Sequence, residues 1–518
     1  MYNALNINIG ILGHVDSGKT SLAKCLSTIS STAAFDKNPQ SQERGITLDL
    51  GFSSFTVPML EHLKNATDKD ILQYTLVDCP GHASLIRTII GGAQIIDMML
   101  LVIDVTKGIQ TQTAECIVIG EITCKKFIVV FNKVDLLEEE KREQLINKMK
   151  LKVSKVLSTT VLGNQEIPIV ATSVNNDKNF IGLDELINTI GKLSFIPERK
   201  KDDLFQFAVD HCFAIKGQGT VMTGTILQGS VKLNDAIDIP TLGITKKVKS
   251  MQMFRKPVQE AHQGDRLGIC VTQFDPKLLE RGIVCSPGLG SFVDYAIIDA
   301  NIIKYFKHSI ESKAKFHITI GYATVLAQIT IFKRNGDDIA FDIEDKYQFV
   351  ESIELDGFDD VKYDKYFVLL HFESPIYAIN NSIVIASKLD MDIHKNTCRL
   401  AFWGRLLHYS KEKDFLNNVH IYNYKQKTGI IDRIVDGYNI IVKNMFKKET
   451  DLAKFVNMNV QLDNGDIGKI ESAFGQSGKV KVYISQGINS NDLQSLKNSN
   501  VILTFKKYLF TGSNKLSQ

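Results

Sequence analysis

Short apolar runs recur through the first 197 residues, INIGIL, YTLVD, MMLLVIDV, FIVVFNKVD and IPIVATS, and between them apolar positions fall at helical spacing. Near-continuous apolar strands alternating with helices predict a mostly parallel sheet covered on both faces, an α/β nucleotide-fold pattern. After Pro197 and the charged stretch 198–203 the rhythm changes to strands parted by Gly, Asn and Asp turns: FQFAVDHCFAI, GTVMTGTILQGSV, AIDIP, KKVKSMQMF and DRLGICV. This predicts a β-barrel over 198–290. A second β-rich module is expected over 291–403, with AKFHITIGYATVLAQITIFK and KYFVLLHFESPIYAINNSIVIAS as its strongest strands. Between them, 334–366 holds 11 acidic and 4 basic residues and reads as an exposed loop or insertion. From Gly404 the strands continue (NVHIYNY, GYNIIVKNMF, KVKVYIS, VILTFKKYLF), predicting a β-rich, barrel-like last module over 404–518.

Four modules suit the length, because 518 residues exceed the roughly 250–300 that one hydrophobic core holds. With 44% hydrophobic and 23% charged residues, 35 Gly and 10 Pro, the composition excludes wholesale disorder and a collagen-like repeat. Charge is nearly balanced overall, 61 Lys and Arg against 58 Asp and Glu, and alone predicts no nucleic-acid partner. Its distribution changes that picture: residues 404–518 hold 17 Lys and Arg against 10 Asp and Glu, leaving 44 against 48 for residues 1–403. The last module is basic. The eight cysteines form no Cys-x-x-Cys pair and sit mostly in apolar segments, so reduced, buried thiols are expected. The most apolar stretch, 89–105, is interrupted by Gln94, Asp97 and Asp104, short of the roughly 20 apolar residues a spanning helix needs. No membrane partner is expected, and with no export or organelle signal before the first strand a cytoplasmic location is expected.

Gly13-His14-Val15-Asp16-Ser17-Gly18-Lys19-Thr20-Ser21 follows the first predicted strand and opens a helix, the context that makes Gly-x4-Gly-Lys-Thr a phosphate loop. Its glycines permit a tight backbone whose N–H groups converge on phosphate oxygens at a helix N-terminus. Lys19 is expected to bridge the β and γ phosphates, and Thr20 to offer its hydroxyl to Mg²⁺. Asp78, closing YTLVD, is placed to hold Mg²⁺ through water, and Gly81 to bring its N–H to the γ-phosphate. Asn132, Lys133 and Asp135 end a later strand. A carboxylate at Asp135 accepting from guanine N1–H and the exocyclic amine rejects adenine, so GTP and GDP are the expected ligands. Ala171, Thr172 and Ser173 stand where such folds carry a backbone contact to the guanine oxygen. In Arg44-Gly45-Ile46-Thr47, Thr47 offers a second hydroxyl for Mg²⁺ in a loop able to order around the γ-phosphate. Each piece alone is an ordinary strand-to-helix turn; their joint order points to a GTPase.

These residues resemble the elongation factor Tu family of translational GTPases in GHVDSGKT, RGIT, DCPGH and NKVD followed by two β-barrels. Longer blocks at 31–55, 78–108, 209–229, 248–254 and 264–282 resemble, within it, the selenocysteine-specific elongation factors of eukaryotes and archaea, and the likeness continues through DIHKNTCRLAF, MFKKET and ESAFGQSGK. The resemblance implies an α/β P-loop GTPase domain (1–197) and two elongation-factor-type β-barrels. The first barrel (198–290) would carry the aminoacyl pocket and the second (291–403) a tRNA contact, before a basic C-terminal domain (404–518) that binds RNA or an adaptor. It implies GTP-dependent delivery of selenocysteinyl-tRNA to the ribosome at recoded UGA codons, with His82 orienting the attacking water while Val15 and Ile46 screen it.

The resemblance also puts a selenocysteine pocket on Asp210, His211 and Arg281. Cations there would favour a selenol, largely ionised at neutral pH, over a serine hydroxyl. Ala171-Thr172-Ser173 departs from the family's Ser-Ala-Lys. In the last module Lys447, Lys448, Lys479, Lys481, Lys506 and Lys507 interleave with aromatic residues on predicted strands, as RNA-tracking surfaces do. Bacterial relatives append winged-helix domains for the messenger stem-loop; with none after Gln518, an RNA-binding adaptor is expected to present the selenocysteine-insertion RNA element to a monomeric factor. Two readings compete. Another tRNA-delivering GTPase, of the initiation factor 2 gamma or general elongation factor kind, is opposed by the missing Cys-x-x-Cys knuckle and by the fourth domain. A non-hydrolysing RNA-binding scaffold is opposed by intact Lys19, Thr20, Asp78 and His82.

Overall fold

The computed structural model describes residues 1–518 apart from 1–3, 28, 31–49, 82–94, 125, 159, 161–165, 175–179, 335–339, 355–364, 392–397, 476, 489–497 and 511–515. The chain forms two compact units, 1–329 with 353–360 and 370–411, and 330–352 with 361–369 and 412–518.

In the first unit, β1 (Ala4–Leu12), β2 (Ile29–Ser30), β3 (Gly51–Pro58), β4 (Ile71–Asp78), β5 (Met98–Asp104), β6 (Lys126–Asn132) and β7 (Ile169–Ala171) form one sheet in the order β2-β3-β4-β1-β5-β6-β7. β4, β1, β5, β6 and β7 run parallel, while β3 pairs antiparallel with β4 as Gly51↔Asp78 and Phe52↔Val77. The sheet is flanked by α1 (Lys19–Leu26), α2 (Thr111–Thr123), α3 (Arg142–Leu157) and α4 (Leu183–Leu193). Successive strand residues point to opposite faces, and here both faces are apolar. Leu100, Val102, Ile128 and Val130 pack with Leu22 of α1 and Leu186 and Ile190 of α4. Leu101, Ile103, Val129 and Phe131 pack with Ile117 of α2 and Val153 of α3. This two-sided burial is what the near-continuous apolar runs require. The C-terminal ends of the parallel strands lie on one edge, where open α/β sheets bind ligands, and they deliver Gly13, Asp78, Asn132 and Ala171 there.

β8 (Gln206–Ile215) and β9 (Gly219–Gln228) belong to an eight-stranded antiparallel sheet that includes Arg266–Val271 beside β9 and Gly282–Cys285 beside β8. It curls around Phe207, Val209, Met222, Ile269 and Val284. Polar contacts join this sheet to the first. Asn6 and Asn8 of β1 both donate Nδ2 to Gly264 O, at 2.8 and 2.9 Å. Arg199, in the connecting segment, donates to both oxygens of Asp97 at 2.8 and 2.6 Å. Gly264 has φ 90°, and a Cβ there would stand 2.4 Å from the Arg199 guanidinium carbon, so the contact needs glycine.

Strands Ser291–Ile302, Lys315–Ile320, Ile383–Ser387 and Leu400–Ser410 continue the unit. Ile385 and Leu400 share a cluster with Leu101 and Ile117. Beside them Arg399 donates Nε and Nη2 to the two carboxylate oxygens of Glu115 in α2, at 2.8 and 2.9 Å, with both side chains buried.

In the second unit, strands Ile421–Ile434, Asn439–Lys443, Lys479–Tyr483, Ile467–Phe474, Asn459–Leu462 and Asn500–Tyr508 pair in that order. The last returns to the first from Tyr422↔Tyr508 to Ile430↔Asn500, closing a barrel around Ile431, Ile440, Val460, Val480, Val482 and Leu503. Closure leaves none of these strands with a free edge. Of the expected exposed loop or insertion over 334–366, the loop reading needs correction at 347–350. Tyr347–Val350 is a strand that pairs with 331–333 and, through Tyr347, with Ile421, and Tyr347 is buried among Phe332 and Phe367. Its four residues are too short an apolar signal to stand out from the acidic residues around them. No helix among the described residues is long and apolar enough to cross a membrane.

Candidate functional site

The loop between β1 and α1 is shaped by its neighbours. Gly13 has φ 149°, and a Cβ there would lie 2.2 Å from Val102 O; Gly18 has φ 90°, and a Cβ would lie 2.2 Å from Asn132 Nδ2. Asp16 takes φ 60° and is exposed, as is Ser21 on the first turn of α1. Lys19 is buried and donates Nζ to His14 O at 2.7 Å. Burial lowers its pKa, with Asp78 pulling it back up. Thr20 donates Oγ1 to Asp78 Oδ2 at 2.6 Å, joining the first element to the second. Gly81 closes over both Lys19 and Val15, since a Cβ would stand 2.4 Å from Lys19 Nζ and 2.8 Å from Val15 N.

The third element is tied to the first: Asn132 donates Nδ2 to Ser17 O at 2.9 Å and accepts from Thr172 Oγ1 at 3.3 Å. Lys133, at φ 65°, pairs with Asp104 at 2.8 Å. Burial would raise the Asp104 pKa, but the hydrogen bonds from Lys133 and Thr106 hold it below the usual carboxylate value. Ser173 donates Oγ to Asp135 Oδ1 at 2.6 Å. In the Ala171-Thr172-Ser173 segment, Thr172 thus orients Asn132 and Ser173 orients Asp135. His82, Thr47 and Ile46 lie outside the described residues.

These residues fit a nucleotide with a divalent cation. Ser17 Oγ is buried with no hydrogen-bond partner, and Gly13 and Gly18 leave a cradle that side chains would fill. The Thr20 hydroxyl and the Asp78 carboxylate are hard oxygen donors of the kind Mg²⁺ prefers.

A second polar site lies on β8. The β8–β9 register slips between Val209 and His211, so Asp210 is the extra residue of a bulge, a device that re-aims a side chain. Its carboxylate is buried and accepts from Thr223 Oγ1 at 2.9 Å and from Arg266 Nη1 and Nη2, the latter at 3.1 Å; His211 Nδ1 lies 3.0 Å from Oδ1. Burial pushes the Asp210 pKa up, but Arg266 and His211 outweigh it and hold it below the ordinary value. Arg266, absent from the expected set, is thus the guanidinium that grips Asp210, and its other face covers the ring of Phe52 in β3, 3.2 Å from guanidinium carbon to ring centroid. Arg281 precedes Gly282, which pairs with Val209. Its charge, with those of Asp210 and Arg266, acts on the Tyr322 phenol, whose pKa burial pushes far above its usual value. A cavity of about 140 Å³ opens beside Arg266, lined also by Thr223, Phe213, Val221 and Cys270.

On the last barrel the six expected lysines divide. Lys479 pairs with Asp432 at 2.7 Å and Lys481 with Glu471 at 2.7 Å. Lys447, Lys448 and Lys507 are exposed, and Lys506 lies over the Tyr422 and Tyr424 rings at 4.7 and 5.8 Å. All eight cysteines are free thiols, and the described residues hold no cluster of three or more His, Cys, Asp or Glu fit for a metal ion.

Residues 5–211 match the family described as Elongation factor Tu GTP binding domain, and 219–286 match Elongation factor Tu domain 2. Residues 297–404 match the third domain of the eukaryotic selenocysteine-specific elongation factor, and 417–507 the eEFSec C-terminal RIFT domain. The chain is 49% identical to the mouse selenocysteine-specific elongation factor over 94% of its own length and 89% of the mouse protein. It is 32% identical to that of Methanocaldococcus jannaschii over 95% and 97%. The crystal structure of the elongation factor SelB from Methanococcus maripaludis in complex with the GTP analogue GppNHp superposes with a TM-score of 0.72 at 27% identity, covering 100% of this chain and 99% of that one. With that likeness running through all four matched segments, the chain belongs to the selenocysteine-specific elongation factor family.

Proposed function

We infer that the protein is a translational GTPase that binds selenocysteinyl-tRNA, delivers it to the ribosome at recoded UGA codons and releases it on GTP hydrolysis. The likeness to selenocysteine-specific factors over nearly the whole chain carries this reading. In it, Lys19 binds the β and γ phosphates, Asp135 reads guanine with its carboxylate oriented by Ser173, and His82 orients the attacking water behind Val15 and Ile46. Thr20 and Thr47 would hold Mg²⁺, with Asp78 reaching it through water, and the ion would supply charge neutralisation on the phosphates.

The selenocysteine pocket is proposed on Asp210, His211 and Arg281, with Arg266 added. Asp210 compensates one of the two guanidinium groups. Arg281 and His211 would face the selenolate, and a cation there favours it while giving a neutral hydroxyl nothing comparable. Competition binding in the GTP state among selenocysteinyl-, seryl- and elongator-methionyl-tRNA tests the reading. Selenocysteinyl-tRNA is expected to win by about a hundredfold or more, and Arg281→Ala to narrow its lead over seryl-tRNA. Indifference among the three tRNAs would overturn the assignment.

The basic barrel is proposed to contact RNA, the tRNA's long variable arm or the selenocysteine-insertion element presented by an adaptor, in a cytoplasmic, monomeric factor. Lys447, Lys448, Lys506 and Lys507, which form no ion pair with a carboxylate among the described residues, are the candidates for direct contact. Neutralising them is expected to flatten the salt dependence of GTP-state tRNA affinity, by about 0.9 in log–log slope for each phosphate no longer neutralised. Neutralising Lys479 and Lys481, already paired with Asp432 and Glu471, is expected to leave the slope alone. A slope unmoved by the first set rules out direct tRNA contact through these residues.

A further inference from the structure

Arg266 faces two domains at once. Its edge grips Asp210 through two hydrogen bonds, and its flat face lies on Phe52 of the GTPase sheet. A guanidinium can do both because it is planar, and the contact is strong where water is absent. Arg266 is 4% exposed, Asp210 3% and Phe52 0%.

Phe52 stands beside the strand end that carries Asp78. On β3 it pairs with Val77, and its neighbour Gly51 pairs with Asp78, the carboxylate bonded to Thr20. Upstream in the same stretch of chain lies Thr47, the expected second Mg²⁺ ligand. A displacement of β3 relative to the β8–β9 sheet therefore moves the surface on which Arg266 rests.

We propose that Phe52 is a positioning residue for selenocysteinyl-tRNA binding: its ring holds Arg266 against Asp210, so the selenocysteine pocket is complete only when the GTPase domain holds β3 in this place. This rests on the pocket reading above. Because coupling is reciprocal, selenocysteinyl-tRNA stabilises the same β3 position that GTP does. Seryl-tRNA, which makes little use of the pocket's charge, couples weakly.

The test measures affinities of selenocysteinyl- and seryl-tRNA for the full chain with GTP and with GDP, in Phe52→Leu, Phe52→Tyr and Arg266→Lys variants. Phe52→Leu keeps an apolar side chain but removes the ring. It is expected to weaken GTP-state selenocysteinyl-tRNA binding roughly tenfold and to shrink the GTP-over-GDP preference by the same factor. Seryl-tRNA affinity and the free factor's GTP affinity are expected to stay within about twofold. Phe52→Tyr, which keeps the ring, is expected to retain most of the preference. Two results overturn the proposal: an unchanged GTP-over-GDP preference in Phe52→Leu, or equal losses for GTP and both tRNAs, which would make Phe52 a core residue only. The pocket reading fails separately, if Arg266→Lys leaves the preference for selenocysteinyl- over seryl-tRNA unchanged.

Discussion

Asp135→Asn is expected to raise the dissociation constant for GTP about a thousandfold and, in the same variant, to admit xanthosine triphosphate. The expectation follows from donors and acceptors. Ser173 Oγ donates to Asp135 Oδ1 at 2.6 Å, which fixes the plane of the carboxylate. An ionised carboxylate so held accepts from both guanine N1–H and the exocyclic amine, and hydrogen bonds to charged groups are worth about 1.5–3 kcal/mol each. An amide in its place sets a donor against the exocyclic amine, so one favourable contact becomes two unpaired donors. Xanthine carries a carbonyl where guanine carries that amine, and the amide donor then has its acceptor. Nucleotide competition with GTP, XTP and ATP reads the outcome. GTP affinity within about threefold of the native protein would remove Asp135 from the base-reading role, since two charge-assisted hydrogen bonds are together worth more than that. Ser173→Ala makes an internal comparison, with a smaller loss of about tenfold from one hydrogen bond and no change in base preference.

Arg399→Ala is expected to have the largest effect on stability. The Glu115–Arg399 pair is a two-pronged ion pair, 2% and 5% exposed, between α2 and the residue that precedes the strand Leu400–Ser410. Removing one partner strands the other charge in a dry seam, at a cost of about 3–5 kcal/mol. In a chain of several domains this need not unfold everything together. The expected readout is a first thermal transition lower by roughly 10 °C, with nucleotide binding at 25 °C retained. The double replacement Glu115→Leu with Arg399→Met, apolar and of similar volume, is expected to recover most of the loss, because neither charge then remains buried. A single variant melting within about 2 °C of the native protein would show that water reaches the pair.

How far the sequence reached depended on whether a feature is local. The phosphate loop, Asp78 and the Asn132–Asp135 turn are local: each closes a strand of the parallel sheet, and strand order alone sends them to one edge. The last module was legible as barrel-like from its run of strands, but not the pairing that closes it, because the return of Tyr508 to Tyr422 spans the whole module. Arg266 lies within the 264–282 block but does not stand out in it. It opens the strand RLGICV like any surface arginine, and its partner Asp210 lies on β8, which is separated from that strand by β9. A faint signal was present in Asp210 itself, an acidic residue directly after the apolar run FAV of its strand, where a buried carboxylate demands a cation. Glu115, inside the apolar helix TQTAECIVIGEIT, carried the same signal and Arg399 answers it. In both cases the sequence displays a buried charge, and only the packing of separate modules identifies its partner.

The Arg199–Asp97 contact bears on how the chain can be divided. A fragment ended at residue 197, where composition changes, would lack the arginine that neutralises Asp97 and would leave Asn6 and Asn8 facing water instead of Gly264 O. The part of the chain that is electrostatically self-contained ends later than the part that looks complete in composition. Any excised GTPase domain should carry the connector through Arg199. A more faithful one would extend through the second module, since half of the polar seam along β1 belongs to the turn at Gly264.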